Sequence, residues 1–575
     1  MTHPLRRTAL CGLLLCALLT PSVHAQKGQS DVLGRHGMVV SSNQIASQVG
    51  VDIMKAGGNA IDAAVAVGFA LAVVHPTAGN IGGGGFLVYQ GADGEATTFN
   101  YREKAPMAAH ATMYLDEHGQ VKDNANHAGI LSVGVPGSVA GLYLAHQRLG
   151  RLPWRDVVEP AVRLAEDGIP YSWGMDSWSY RIQRMAEVNP LYEASAGVFL
   201  KNGSEPYEPG ENWRQPDLAA SLKRIRDQGH DGFYRGETAR LFADYMREHG
   251  GLITEADLAA YQAEELEPIR GTYRGFEVLG MAPPSSGGVT LVSMLNILEG
   301  FDLPSLGHNS AMYMHVLTEA MRRAYANRAQ FLGDPNFNPD MPLDRLLSKD
   351  YAADLRRTIS FNRASRSDSS AFASAFAYRE SMQTTHYSII DEDGNAVSVT
   401  TTLEQGYGSK IVVAGAGFLL NNEMGDFNAR PGYTDTDGAI GTDPNLIAPE
   451  KRMLSSMTPT ILTRDGKPFM MIGTPGGRTI INTVLQVILS VVDFEMDIGE
   501  AVDAPRFHHE WLPDRTQVQR IGFSIDTLRL YEMMGHEYRL SGSWGSAMGI
   551  LVDPRTGIYH GGADSRAYDS GAVGY

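Results

Sequence analysis

Soon after residue 40 apolar residues recur at helical spacing: Ile45, Val49, Ile53 and Met54 share one face. Ser41-Ser42-Asn43 is placed to cap that helix and Gly57-Gly58 to stop it. Asn59 can cap a second helix, Ala60 to Val74, which is apolar on every side and ends at His75-Pro76. A helix with no polar face is a buried one, so this segment predicts a layered domain around it. Val316 to Phe331 reads as a long amphipathic helix closed by Gly333-Asp334-Pro335. The pattern changes near residue 356. Residues 356–383 are rich in Ser and Arg and poor in apolar anchors, a linker by composition.

Beyond it the period becomes that of strands. His386–Asp391, a turn at Asp393-Gly394-Asn395, and Ala396–Leu403 form a predicted hairpin. Ile411-Val412-Val413, Phe418-Leu419-Leu420, Pro459–Thr463 and Phe469–Ile472 continue the strand-rich half, and a helix from about Thr479 to Val492 follows Gly476-Gly477. Helices first and packed strands later, with no internal repeat, predict one layered α+β domain rather than two independent ones.

Composition narrows the class. With 43% hydrophobic residues the 575-residue chain can bury a large core, and its net charge of −17 makes it a poor partner for nucleic acid or an anionic membrane. Both cysteines, Cys11 and Cys16, lie in a leader: Arg6-Arg7, the apolar stretch Ala9 to Leu19, then Ser22-Val23-His24-Ala25. Leu10 and Leu15, which precede the cysteines, are too large for a lipoprotein signal. The stretch is also short for a membrane span. The expectation is cleavage after Ala25 and export to the periplasm or the medium, with no membrane anchor left. The exported chain then has no cysteine for a disulfide, a zinc thiolate or a nucleophile.

Several motifs invite chemistry that their context denies. Gly82-Gly83-Gly84-Gly85 lacks the Lys-Ser/Thr ending of a phosphate loop, and reads better as a tight backbone passage into the strand Phe86–Tyr89. His508-His509-Glu510 has no metal-ligand spacing, since adjacent side chains on a strand point apart. Gln383-Thr384-Thr385-His386 differs by its position, where the linker meets a buried-type strand. Cut before Thr384, the chain would carry a hydroxyl nucleophile and a free α-amine of pKa about 7.7–8.0 on one residue, nucleophile and base together. The plainer alternative is that Thr-Thr merely opens a strand.

Four further segments bear on that choice. Glu423 and Asp426, three apart in a turn-rich run, could converge on a cation. Ser455-Ser456 supplies paired hydroxyls ahead of a strand, and Arg102 a planar cation after one. Gly473-Thr474-Pro475-Gly476-Gly477 precedes a helix, so its N–H groups could hold an oxyanion.

Together these segments resemble the γ-glutamyltransferase (glutathione hydrolase) family, from the Ser42-Asn43 helix to Gly574-Tyr575. The resemblance includes Pro283-Pro284-Ser285-Ser286-Gly287-Gly288, Ala324-Tyr325-Ala326-Asn327-Arg328 and Ala504-Pro505-Arg506-Phe507-His508-His509. It implies the N-terminal-nucleophile hydrolase fold, an αββα four-layer sandwich. It further implies self-cleavage between Gln383 and Thr384 into a large chain, 26–383, and a small chain, 384–575, which stay together as a heterodimer with one shared core. Thr384 would then attack the γ-amide of glutathione and related γ-glutamyl compounds and pass the acyl group to water or to amino-acid or dipeptide acceptors.

By the same resemblance Thr402 hydrogen-bonds the nucleophile, and Gly476 and Gly477 form the oxyanion hole. Arg102, Ser455 and Ser456 hold the donor's α-carboxylate, while Glu423 and Asp426 hold its α-ammonium. No cofactor or metal is implied. Two positions depart from many family members. Thr402-Leu403-Glu404 replaces Thr-x-Asn, adding a third carboxylate at the ammonium end, and Asp437 stands in the lid-like segment Pro431 to Pro449 where others carry an aromatic gate, with Tyr433 nearby. These departures lead to an expectation of activity biased towards hydrolysis. Two other readings stay open: a glutaryl or cephalosporin-type acylase on the same fold, which has little use for Glu423 and Asp426, and an uncleaved, non-catalytic binder of γ-glutamyl peptides.

Overall fold

The computed structural model describes residues 31–367 and 383–575. The predicted leader, 1–25, and residues 368–382 of the predicted linker lie outside them. Two seven-stranded antiparallel sheets stack face to face, each with a helical layer on its outer side. The first sheet runs in the order Gly571–Gly574, Met38–Ser41, Thr385–Ile390, Ala396–Thr402, Gly84–Gln90, Ala96–Tyr101, Glu264–Leu266. The second runs Val32–Gly34, Tyr559–Ala563, Met548–Val552, Lys467–Gly473, Thr460–Arg464, Phe276–Gly280, Ile269–Tyr273. This is the four-layer αββα sandwich. The sequence pattern concentrates strands after residue 384, yet both sheets take strands from either side of it.

Strand alternation builds the two cores. Val39, Leu87, Tyr387 and Val397 face the helical layer that contains Ala60–Val74, while Val40, Phe86, Val88 and Ala396 join the core shared with the second sheet. Asn59 caps the Ala60–Val74 helix through a capping box with Asp62, and all fifteen residues are buried against the two central strands and neighbouring helices. The Gly82–Gly85 run is the tight passage expected. A Cβ on Gly83 would stand 2.1 Å from the Thr402 carbonyl oxygen, so only glycine lets the backbone come this close.

The long helix spans Ala311–Phe331, five residues earlier than its pattern suggests, because Ser310 caps it, and it is largely buried rather than amphipathic. Ile411-Val412-Val413 and Phe418-Leu419-Leu420 do not enter either sheet. They close on each other through a single Val412–Leu419 bridge, and the Ser195 hydroxyl takes the Val412 N–H at 2.9 Å in place of a third strand. The linker also begins later than its composition suggests. A helix continues to Arg357, Ser365 N–H donates to Glu319 at 3.0 Å and Ser367 N–H to Asp514 at 2.8 Å.

Candidate active site

Thr384 immediately precedes the Thr385–Ile390 strand, which lies at the centre of the first sheet. The antiparallel register pairs Thr385 with Thr401, which carries Thr402 alongside Thr384. In the uncut chain the Thr384 hydroxyl donates to the Gln383 carbonyl oxygen at 2.8 Å. The Thr402 hydroxyl lies 3.3 Å from that same oxygen and 3.3 Å from Thr384 Oγ1, and it accepts the Glu404 N–H at 2.9 Å. Asn80 fixes the end of the Thr402 strand, its Nδ2 donating to the Thr402 carbonyl at 2.8 Å.

A turn from the second sheet closes one side. After the Lys467–Gly473 strand the chain passes through Gly476 and Gly477, at φ of +138° and +55°, before the Thr479–Val492 helix. Those left-handed values need glycine. Among the described residues neither Gly476 N–H nor Gly477 N–H has a hydrogen-bond acceptor, and both sit at the positive end of the helix, where an anion is favoured.

The third wall is charged. Arg102 follows the Ala96–Tyr101 strand and is wholly buried, its backbone held by Asn100 Oδ1 at 3.1 Å and by the Tyr261 hydroxyl at 2.8 Å. Its guanidinium forms short bonds to Glu423 and Asp426, and Nε donates to the Met453 carbonyl at 3.3 Å. The two acids meet there because Glu423–Asp426 is a single 3₁₀ turn. Burial weakens the Arg102 charge, but Glu423, Asp426 and Glu103 outweigh it and hold the guanidinium above its ordinary pKa. The carboxyls respond the other way. Burial first, then neighbouring acids, pushes Glu423 and Glu103 up despite Arg102, because one cation cannot neutralise three buried carboxylates.

Ser455 and Ser456 follow. Ser456 Oγ accepts from Arg328 at 2.8 Å, and Ser455 Oγ accepts the Met457 N–H at 3.1 Å. Glu404, at φ +77°, turns its carboxylate to Asn422 and to His127 Nδ1, the latter 3.4 Å away.

One cavity is lined jointly by Arg102, Thr384, Thr402, Glu404, Glu423, Asp426, Ser455, Ser456 and Gly477. The structure thus gathers every residue the sequence singled out for donor binding and catalysis, except that Gln383 and Gly476 stand just outside its lining. The space inside is about 20 Å³, room for about one water. The family model for gamma-glutamyltranspeptidase matches residues 46–574.

The chain belongs to the gamma-glutamyltranspeptidase family.

It is 44% identical to the glutathione hydrolase proenzyme of Escherichia coli (strain K12), over 99% of both chains, and 45% identical to that of Pseudomonas sp. (strain A14), over 92% of this chain and 91% of the relative. A crystal structure of cephalosporin acylase from Bacillus halodurans superposes with a TM-score of 0.83 at 28% identity, covering 96% of this chain and 98% of that one. The gamma-glutamyltranspeptidase fold accounts for several residues that the sequence did not single out for a role. Glu103 follows Arg102 into the buried cluster, Arg328 supports Ser456, and His127 reaches Glu404 from far along the chain. Arg328 ends the Ala324-Tyr325-Ala326-Asn327-Arg328 motif, whereas nothing local in the sequence marks His127.

No residue of the lid-like segment Pro431 to Pro449 lines the cavity that contains Thr384. Asn445 ties the segment to the acidic turn, donating to the Asp426 carbonyl at 2.7 Å. Tyr433 lies against Arg430, 3.6 Å from guanidinium to ring centroid, and lines a separate cavity of about 320 Å³ with Asp426. Asp437 lines neither of these two cavities. His508 and His509 take separate partners, Asn482 at 2.7 Å and Asp514 at 3.2 Å, which fits a structural role. No helix among the described residues is long and apolar enough to cross a membrane.

Proposed function

We propose that this chain is the proenzyme of a γ-glutamyltransferase and glutathione hydrolase that cuts itself before Thr384. The observation that carries the reading is the contact of the Thr384 hydroxyl with the Gln383 carbonyl, at the edge of a cavity that Thr384 lines together with Arg102, Glu423 and Asp426. Attack by Thr384 Oγ on the Gln383 carbonyl carbon transfers the acyl group from nitrogen to oxygen. Water then cleaves the ester, leaving Thr384 with a free α-amine. Thr402 hydrogen-bonds the nucleophile, and the N–H groups of Gly476 and Gly477 receive the oxyanion.

In turnover the same hydroxyl takes the γ-acyl group of glutathione and releases cysteinylglycine, its α-amine serving as base and then as acid. The donor's α-carboxylate replaces Glu423 and Asp426 at Arg102 and meets Ser455 and Ser456. Its α-ammonium takes up the released acids together with Glu404. Two opposite charges at fixed points make the pocket demand a zwitterion. Water or an amino-acid amine then accepts the acyl group, and the two chains act as one heterodimer, exported once the leader is removed.

A denaturing gel with terminal sequencing tests the reading. Wild type gives two bands, the smaller beginning at Thr384, and Thr384→Ala gives one inactive chain. Normal cutting in that variant would overturn it. The acylase alternative predicts faster release from glutaryl than from γ-glutamyl p-nitroanilide; the buried acids Glu423 and Asp426 favour the γ-glutamyl substrate.

A further inference from the structure

The turn at Gly476 and Gly477 is held from its carbonyl side by the helix that follows. The Gly476 carbonyl accepts the Thr479 N–H at 3.1 Å and the Thr479 hydroxyl at 2.7 Å, and the Gly477 carbonyl accepts the Ile480 N–H at 3.0 Å. The next residue, Arg478, reaches elsewhere. It does not line the cavity that contains Thr384, and its own carbonyl accepts the Tyr325 hydroxyl. Arg478 Nη1 donates to the Glu510 carboxylate at 3.3 Å and to the Gly438 carbonyl, in the lid-like segment, at 3.3 Å.

Both partners of that guanidinium are themselves held. Asp435 Oδ1 accepts the Asp437 and Ala439 N–H groups at 2.9 Å each, folding the tip of the segment into a turn with Gly438 at φ +109°. Gly438 packs on the Leu512-Pro513 peptide: a Cβ there would stand 3.1 Å from Pro513 Cδ and 3.2 Å from the Leu512 carbonyl oxygen. The Leu512 N–H in turn donates to the Glu510 carbonyl at 3.0 Å. One short stretch, 510–513, thus carries both the acid that takes Arg478 and the surface that seats the lid tip. Burial pushes the Glu510 carboxyl up, but the His508 hydrogen bond and the Arg478 charge outweigh it and hold it at about 2, so the pair is charged near neutral pH.

We infer that Arg478 is a positioning residue for the oxyanion hole, and that the lid-like segment acts on the reaction through it. The inference rests on the proposed function. The Gly476 and Gly477 N–H groups meet charge only as it develops, so their placement bears on the transition state more than on the bound donor. A guanidinium clamped between Glu510 and the Gly438 carbonyl fixes the residue that joins Gly477 to the Thr479–Val492 helix, and with it the direction of the two preceding N–H groups. The segment's other tie, Asn445 to the Asp426 carbonyl, reaches the ammonium end of the donor instead. The two routes therefore separate in kinetics: loss of the Arg478 tie lowers kcat, and loss of the Asn445 tie raises KM.

The test uses the matured enzyme with γ-glutamyl-p-nitroanilide. Arg478→Gln should lower kcat about ten-fold at a nearly constant KM, since a displaced oxyanion donor costs less than the 10²–10³ of a deleted one. Arg478→Lys should recover part of the loss. A donor analogue with a boronic acid at the scissile position, which forms a tetrahedral adduct with Thr384 Oγ, should bind Arg478→Gln about ten-fold more weakly. Asp435→Ala, which loosens the tip that presents the Gly438 carbonyl, should lower kcat less, and should add nothing when combined with Arg478→Gln. Self-cleavage uses the same N–H groups and should slow in step, so a variant that matures incompletely is read from its uncut fraction over time on a denaturing gel. Wild-type kcat and cutting in Arg478→Gln, a loss that falls on KM instead, or effects of the two substitutions that multiply, overturns the inference but leaves the proposed function standing. A correctly folded wild type inactive on every γ-glutamyl donor overturns both.

Discussion

Thr402→Val removes one hydroxyl from the centre of the site at nearly constant shape. That hydroxyl accepts the Glu404 N–H at 2.9 Å and lies 3.3 Å from both the nucleophile and the carbonyl it attacks. It has one proton, so it serves Thr384 Oγ1 or the Gln383 oxygen but not both at once. At 3.3 Å the contact is longer than that of an ideal oxyanion donor, whose loss costs about 10²–10³ in rate. The expected slowing of self-cleavage is therefore about 10–100-fold, or about 1.4–2.7 kcal/mol in the barrier. Separately, the buried Glu404 N–H loses its acceptor, which costs about 1–3 kcal/mol of stability.

The two effects are read apart. Cleavage is followed as the uncut fraction on a denaturing gel against time after rapid purification. Stability is measured by denaturant unfolding of Thr402→Val placed on Thr384→Ala, where both proteins stay uncut. Thr402→Ser should keep most of the wild-type rate. Maturation of Thr402→Val at the wild-type rate would refute the role of this hydroxyl, and unchanged stability would refute the backbone argument.

Three further outcomes follow from other parts of the structure. In Gly425→Ala the new Cβ would stand 2.1 Å from His127 Nδ1 and push the ring off Glu404; overpacking should cost about 1–3 kcal/mol and raise the donor KM several-fold, and a wild-type KM would count against the His127–Glu404 contact. Asp564→Ala strands the buried Arg506, paired at 2.6 Å, and frees the Ala547 N–H, held at 3.0 Å; a loss of about 3–5 kcal/mol is expected in denaturant unfolding, and an unchanged midpoint would contradict it. Stability should fall as pH drops below about 4.5, where Glu103 and Glu423, raised in the folded chain, are protonated in both the folded and the unfolded state. Burial lowers His75 and His509 to about 4 and His386 and His536 to about 3, so the unfolded chain binds protons first. Glu319 adds to the loss, because it is held at about 2, where the Ser365 hydrogen bond and Arg322 and Arg323 overcome the upward push of burial. Denaturation midpoints that rise towards acid would refute this sign.

What could be read ahead in the sequence was local. The Ala60–Val74 helix carries its cap, its apolar surface and its stop within a few residues, and its bounds emerge as expected. The hairpin that delivers Thr384 and Thr402 is equally local, with alternating strands and a Gly394 turn at φ +90°. Long-range pairing was not legible. Strands from before and after residue 384 interleave in both sheets, and no periodicity states which strand neighbours which. The site divides the same way. Each charged segment is visible by itself, but Arg102 meets Glu423 across more than three hundred residues, and only the resemblance joined them. Glu103 and His127 act through burial and contact alone, properties that the folded chain creates.

The place of the Thr385–Ile390 strand has a further consequence. It lies between Met38–Ser41, from the chain before the proposed cut, and Ala396–Thr402, from the chain after it. Cut before Thr384, the molecule keeps every bond of this sheet, but its folding changes molecularity. The precursor folds as one chain, whereas the matured pair, once unfolded, must find each other again at a rate set by concentration. At low concentration the proposed cut would thus act as a one-way latch: the lifetime of the cut pair would be set by how slowly the interleaved sheets first come apart, and a lost molecule would not return.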